Sequence, residues 1–123
     1  MKDSILFTKS KAFALRIVRL YKYLRERKES VVAKQMLRSG TSIGANIAES
    51  RYAQSKADFA SKLQIALKES AETEYWLELL RDSELVESSS AFDSLLVDCT
   101  ELIKLLTASV KTAKTAKTEP SVP

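Results

Sequence analysis

Glycine and proline are almost absent from this chain of 123 residues. It has two of each, and both prolines, Pro120 and Pro123, fall in the last four positions. A β-sandwich or barrel needs a turn about every ten residues, and tight turns draw on those two residue types. That supply is missing, so an all-β fold is excluded. At 45% hydrophobic and 29% charged residues, the chain is a folding one rather than a disordered one. Its length suits one domain with one core.

Helical periodicity fills the space that turns leave empty. Phe13, Ile17, Leu20 and Leu24 recur on one face. Ala33, Leu37, Gly40, Gly44 and Ile47 follow, flanked by Val32, Met36 and Ile43. Phe59, Leu63, Ala66, Ser70, Thr73, Leu77 and Leu80 step by four and three. Phe92, Leu96, Cys99, Ile103, Leu106 and Val110 form the most regular seam, the pattern of helices crossing at about 20°. Ser30, Ser55 with Asp58, and Ser90 with Asp93 are predicted helix caps. The expected helices run over about 4–28, 31–52, 55–82 and 90–114. Short connections force neighbours antiparallel, so the expectation is an all-α, up-down-up-down four-helix bundle over 1–112. Residues 113–123, rich in Lys-Thr-Ala, are expected to form a flexible tail.

Absent residues narrow the chemistry. With no histidine, Ser-His-Asp and Cys-His catalysis, the commonest zinc sites and di-iron Glu-x-x-His pairs are excluded. A single cysteine, Cys99, cannot form an internal disulfide; it suits a reducing cytoplasm and reads as a small core hydrophobe. The longest uncharged run, Ser39 to Ala48, is too short to span a bilayer. Asp3 and Lys9 interrupt any signal-peptide core. The expectation is a cytoplasmic, non-enzymatic domain with no cofactor and no membrane partner.

Charge is divided along the chain. Residues 1–53 hold 12 Lys or Arg against four Asp or Glu, a net of +8; residues 54–123 hold eight against 12, a net of −4. The first helix concentrates the cations. Arg16, Arg19, Lys22, Arg25, Arg27 and Lys28, with Tyr21 and Tyr23 among them, are the candidate nucleic-acid-binding residues, because guanidinium forks suit phosphates and tyrosine faces suit bases. A merely solvated helix face is the competing reading. Lys111, Lys114 and Lys117 most simply complement a helix C-terminus.

Both glycines sit four apart inside Arg38-Ser39-Gly40-Thr41-Ser42-Ile43-Gly44-Ala45-Asn46-Ile47-Ala48-Glu49. Each costs a helix about 1 kcal/mol relative to alanine. A phosphate loop would need a preceding strand and a terminal Gly-Lys, and neither is present. Close approach of another helix accounts for the glycines better. Arg38 and Glu49 share a face about 16 Å apart, too far to pair. Glu69 and Glu72, beside Ile65, Trp76 and Leu79, are candidate partners for Arg38; solvent exposure of these charges is the alternative, and a carboxylate pair for acid–base work the least supported.

Residues 38–49 resemble the signature of the bacterial four-helix bundle proteins first noticed as reading frames in intervening sequences of 23S rRNA genes. Lys68-Glu69-Ser70-Ala71-Glu72-Thr73-Glu74-Tyr75-Trp76-Leu77-Glu78-Leu79-Leu80 resembles that family's second block, and the likeness covers about residues 5–110. It marks Arg38, Ser39, Gly40, Gly44, Asn46, Glu49, Glu69, Glu72 and Trp76 as structural motif positions. Ser50 departs from the family, which more often has glycine there. The resemblance implies a left-handed bundle assembling into a homopentameric ring, with no catalytic residue to carry over. A distant relative, the accessory protein of diversity-generating retroelements, acts through a basic surface on RNA and a reverse transcriptase. Two expectations follow: an oligomeric RNA- or DNA-binding accessory module, or a structural bundle that binds only proteins, itself included.

Overall fold

Without turn residues to stop it, the backbone stays helical. The computed structural model describes residues 2–118, with side chains from 5 to 115. It holds α1 (Lys2–Glu26), α2 (Val31–Ser50), α3 (Lys56–Asp82) and α4 (Ser90–Thr118), and no strand among the described residues. Each helix packs on its sequence neighbours, and α4 closes on α1 through the sparsest seam; diagonal pairs do not meet. This is the expected all-α four-helix bundle. α4 continues to Thr118, so the break expected after residue 112 falls within a helix whose Ala113 is buried. The expected tail residues 119–123 lie outside the described residues.

The helix ends show where local chemistry differs from the expected caps. Ser55 does cap α3: its hydroxyl accepts from Asp58 N–H at 3.0 Å, while the Asp58 carboxylate accepts from Gln54 N–H at 3.1 Å. Ser30 makes no side-chain cap; Glu29 does the work, its carboxylate accepting from Val32 N–H at 2.9 Å. Before α4 the cap is Ser89 rather than Ser90, with Ser89 Oγ accepting from Phe92 N–H at 3.1 Å. After α1, Glu29 N–H donates to Leu24 O and Lys28 N–H to Arg25 O, both at 3.0 Å. α3 ends the same way at Glu84 and Leu85. Glycine usually takes the left-handed position of such an end. Here Lys28 (φ 64°) and Glu84 (φ 61°) hold it.

The glycines serve packing instead. A Cβ on Gly40 would lie 2.8 Å from Cγ2 of Ile17, a stiff, fully buried side chain of α1. A Cβ on Gly44 would meet Ser10 Oγ at 3.4 Å, an ordinary contact. Both positions therefore bring α2 close to α1, and Gly40 is the one with no room to spare.

The α1 and α3 seams are largely as read, and the α2 seam is shifted at two positions. Phe13, Ile17 and Leu24 are buried in α1, joined by Leu6 and Ser10. In α3 the row from Leu63 to Leu80 is buried, with Phe59 half-buried at its start. In α2 the deep residues are Ala33, Met36, Gly40, Ile43 and Ile47, while Leu37 and Gly44 sit at the edge. The α4 seam needs correction. Leu95 and Leu102 are buried beside Phe92, Cys99, Leu106 and Val110, whereas Leu96 and Ile103 are only partly buried. α4 packs against both α3 and α1, so its apolar face is wider than one heptad stripe and its centre shifts by one residue.

Candidate nucleic-acid interface and the signature cluster

α1 turns its core stripe inward, which leaves Arg19, Lys22 and Arg25 on exposed positions, and Arg27 and Lys28, in the turn just after the helix, are exposed as well. Among the described residues none of these five forms an ion pair. Arg27 lies over the Tyr23 ring, 3.8 Å from its centroid. Arg16 behaves differently. Its guanidinium donates to Asp98 at 2.6 Å, to Ala91 O at 2.9 Å and to Ser94 Oγ at 3.2 Å, and its side chain is 30% exposed. It clasps α1 to α4, so the structure removes it from the set of free cations. Tyr21 and Tyr23 are half-buried against the core. They offer no open stacking platform, and what remains is a phosphate-type surface of charge alone.

The seam next to this face is also where sequence reasoning missed most. Leu15 and Val18 are 50% and 46% exposed on the outer side of α1. A cleft of about 290 Å3 opens between the C-terminal half of α1 and the start of α4, walled by Leu20, Tyr23, Val86, Phe92 and Leu95. The outward face of a basic helix was read only for its charges, and its apolar members carry no periodic signal of their own.

The signature residues gather on the α2–α3 side. Ser39 is fully buried, with its Oγ 2.8 Å from Thr73 Oγ1, a hydroxyl contact between two helices. Thr73 Oγ1 also lies 2.8 Å from Glu69 O, so no buried side-chain polar atom is left without a partner among the described residues. Above that contact, Arg38 pairs with Glu69 at 3.3 Å and closely with Glu72. The Arg38 bond first, and the Trp76 indole N–H at 2.8 Å second, hold the Glu72 carboxyl below its ordinary range. Arg38 is 52% exposed, so this cluster is partly solvated and contributes modestly. Tyr75 and Trp76 meet edge to face at 5.0 Å.

Further along, Glu49 pairs with Lys62 at 2.8 Å, and Asn46 donates to Ser42 O at 2.9 Å within α2. Ser50 closes the helix, donating to Ile47 O at 2.6 Å, and the next residue, Arg51, is right-handed at φ −69°. Ser50 itself is helical and not among the residues of positive φ, so its backbone does not require a glycine. Cys99 is buried and its thiol is pushed up to about 12 by burial first, then by Glu74, Glu78 and Asp98. It stays protonated and packs as a small apolar group, with Sγ 3.4 Å from Ser70 O.

Both blocks fall within residues 2–108, the stretch of the chain that the family model of the 23S rRNA-intervening sequence protein matches. The chain belongs to that family. The chain also resembles a solved structure from Bacteroides thetaiotaomicron, a protein of unknown function from the S23 ribosomal protein family. The two share 56% identity with a TM-score of 0.85, over 90% of this chain and 99% of the other. No curated protein is significantly similar to it. No helix among the described residues is long and apolar enough to cross a membrane, and no group of three or more His, Cys, Asp or Glu there is placed to hold a metal.

Proposed function

We propose that this protein is a non-enzymatic, cytoplasmic accessory module that binds the phosphate backbone of RNA or DNA weakly and assembles as a homo-oligomer. The observation that carries the reading is the set Arg19, Lys22 and Arg25 on α1 with Lys28 just past its end, all exposed with no carboxylate paired to them among the described residues. Arg16, by contrast, is held in an ion pair with Asp98. One such helix binds weakly because salt screens it. Repetition of the helix around a ring multiplies its contacts through avidity. The uneven charge, +8 over residues 1–53 and −4 over 54–123, suits head-to-tail contact between unlike surfaces, which closes into rings. The number five rests on the family resemblance. The test is affinity for RNA and for duplex DNA from low to physiological salt, with oligomer size measured by light scattering. Binding that falls steeply with salt supports the reading, since phosphate contacts release counterions.

A second reading, protein contact without nucleic acid, draws on exposed Leu15 and Val18 on the same helix. Absence of nucleic-acid binding at low salt decides for it.

A further inference from the structure

The negative half of the chain is itself divided. Residues 69–101 hold ten Asp or Glu against one Arg. Residues 54–68 hold three Lys against one Asp, and residues 102–118 hold four Lys and no acid. Because α3 and α4 run antiparallel, folding places the acidic segment around the α3–α4 connection and both lysine-bearing segments side by side at the other end. Cys99 Sγ against Ser70 O and Thr100 Oγ1 beside Glu74 set the register, which puts Lys104 at about the level of Lys68. Lys68 and Lys114 line one shallow depression of about 310 Å3, floored by Ala57, Ala60 and Ser61.

Lys68, Lys104, Lys111 and Lys114 are all exposed, and none forms an ion pair among the described residues. The carboxylates that border them are already engaged: Glu69 by Arg38, Glu101 by Lys9 and Glu49 by Lys62. Complementing a helix C-terminus does not explain these lysines. That effect fades within the last turn, and Lys68 and Lys104 lie mid-helix while Lys111 and Lys114 precede the last turn of a helix ending at Thr118.

We propose that Lys68, Lys104, Lys111 and Lys114 form a second phosphodiester-binding surface on the α3–α4 face, running from mid-bundle to the end opposite the Arg19–Lys28 cations. Ala57, Ala60 and Ser61 line the depression toward Lys114 and let a backbone phosphate approach the helices there, while Gln64 and Ile65 separate them from Lys68. Lysines without arginine forks give charge without directional bonding, so this surface takes any extended nucleic-acid strand. The inference rests on the reading of the protein as a nucleic-acid binder, and its test separates the two.

The test compares the full-length protein, a Lys68→Gln/Lys104→Gln/Lys114→Gln variant and an Arg19→Gln/Lys22→Gln/Arg25→Gln variant. Each is titrated with a fluorescently labelled oligouridylate between about 50 and about 200 mM salt, with helicity and melting followed alongside. The expected result is that the lysine variant keeps its fold, binds roughly tenfold more weakly, and has a salt slope lower by about 2, at about 0.7 per lost contact. Wild-type affinity and slope in the lysine variant overturn the proposal, whether or not its melting changes. Loss in the lysine variant with wild-type binding in the arginine-site variant upholds it and overturns the α1 reading instead. No binding by the unmodified protein at the lowest salt overturns both.

Discussion

α1 has two flanks, and they are built on opposite principles. Against α2 it is joined by shape: Ile17 and Ser10 lie where Gly40 and Gly44 leave room, with no ion pair across the seam among the described residues. Against α4 it is joined by charge: Arg16 reaches Asp98, Ser94 and Ala91, Lys9 reaches Glu101, and clefts open at both ends of the seam. A shape-matched seam fails abruptly when volume is added, because packed interiors do not deform smoothly. A charge-joined seam that water reaches loses little when one partner goes. The cations left over by the second kind of seam are the ones free to meet a ligand.

The largest effect is expected at Gly40. Gly40→Leu should abolish the folded bundle, and Gly40→Ala should cost about 1–3 kcal/mol by overpacking against Ile17, partly offset by better helix propensity. Gly44→Ala should be neutral or slightly stabilising. Denaturant melts of the pair check this, and Ile17→Ala in the Gly40→Ala background should restore part of the loss through coupling of the two sites. Equal effects at the two glycines would erase the distinction drawn for this flank.

Next comes the core of α4. Leu102→Ala should cost about 2–5 kcal/mol, and Leu96→Ala clearly less, because only the first is fully buried. The reverse order in thermal melts would restore the seam as read from periodicity. On the charged flank, Arg16→Gln should cost about 1 kcal/mol or less by the same melts, since both members of its ion pair are partly exposed.

The smallest effect concerns pH. Glu72 has its carboxyl lowered from the ordinary 4.5 by Arg38 and Trp76. A lowered native value means that its contribution is whole above the unfolded value and is lost as pH falls through the native one. Melting temperatures of wild type and Glu72→Gln should therefore differ slightly at neutral pH and converge in acid. A difference that grows in acid would contradict the assignment.

Much of the fold was legible because long amphipathic segments with few turn residues admit few solutions. Ser55 could be read as a cap because its own hydroxyl does the capping; Glu29 could not, because a long carboxylate at that place is not a usual capping signal. Leu95 and Leu102 escaped the periodicity because a helix facing two neighbours buries more than one stripe. Glu69 and Glu72 could be read as candidate partners of Arg38, with solvent exposure the alternative; the structure shows the pairing and a guanidinium still 52% exposed. The engagement of Arg16 did not, since Asp98 is 82 positions away and nothing local announces it. The lysine end of α3 and α4 was hidden for a related reason: a charge count along the chain averages segments that antiparallel folding separates.

The comparison of α1's two kinds of cation gives the most direct test of the account. Salt-dependent RNA binding is measured for wild type, Arg16→Gln and Arg19→Gln/Lys22→Gln/Arg25→Gln, each at known oligomer size. The account predicts a salt slope unchanged by Arg16→Gln and reduced by about 2 in the triple variant. A slope that falls with Arg16→Gln, or a triple variant that binds like wild type, would contradict it.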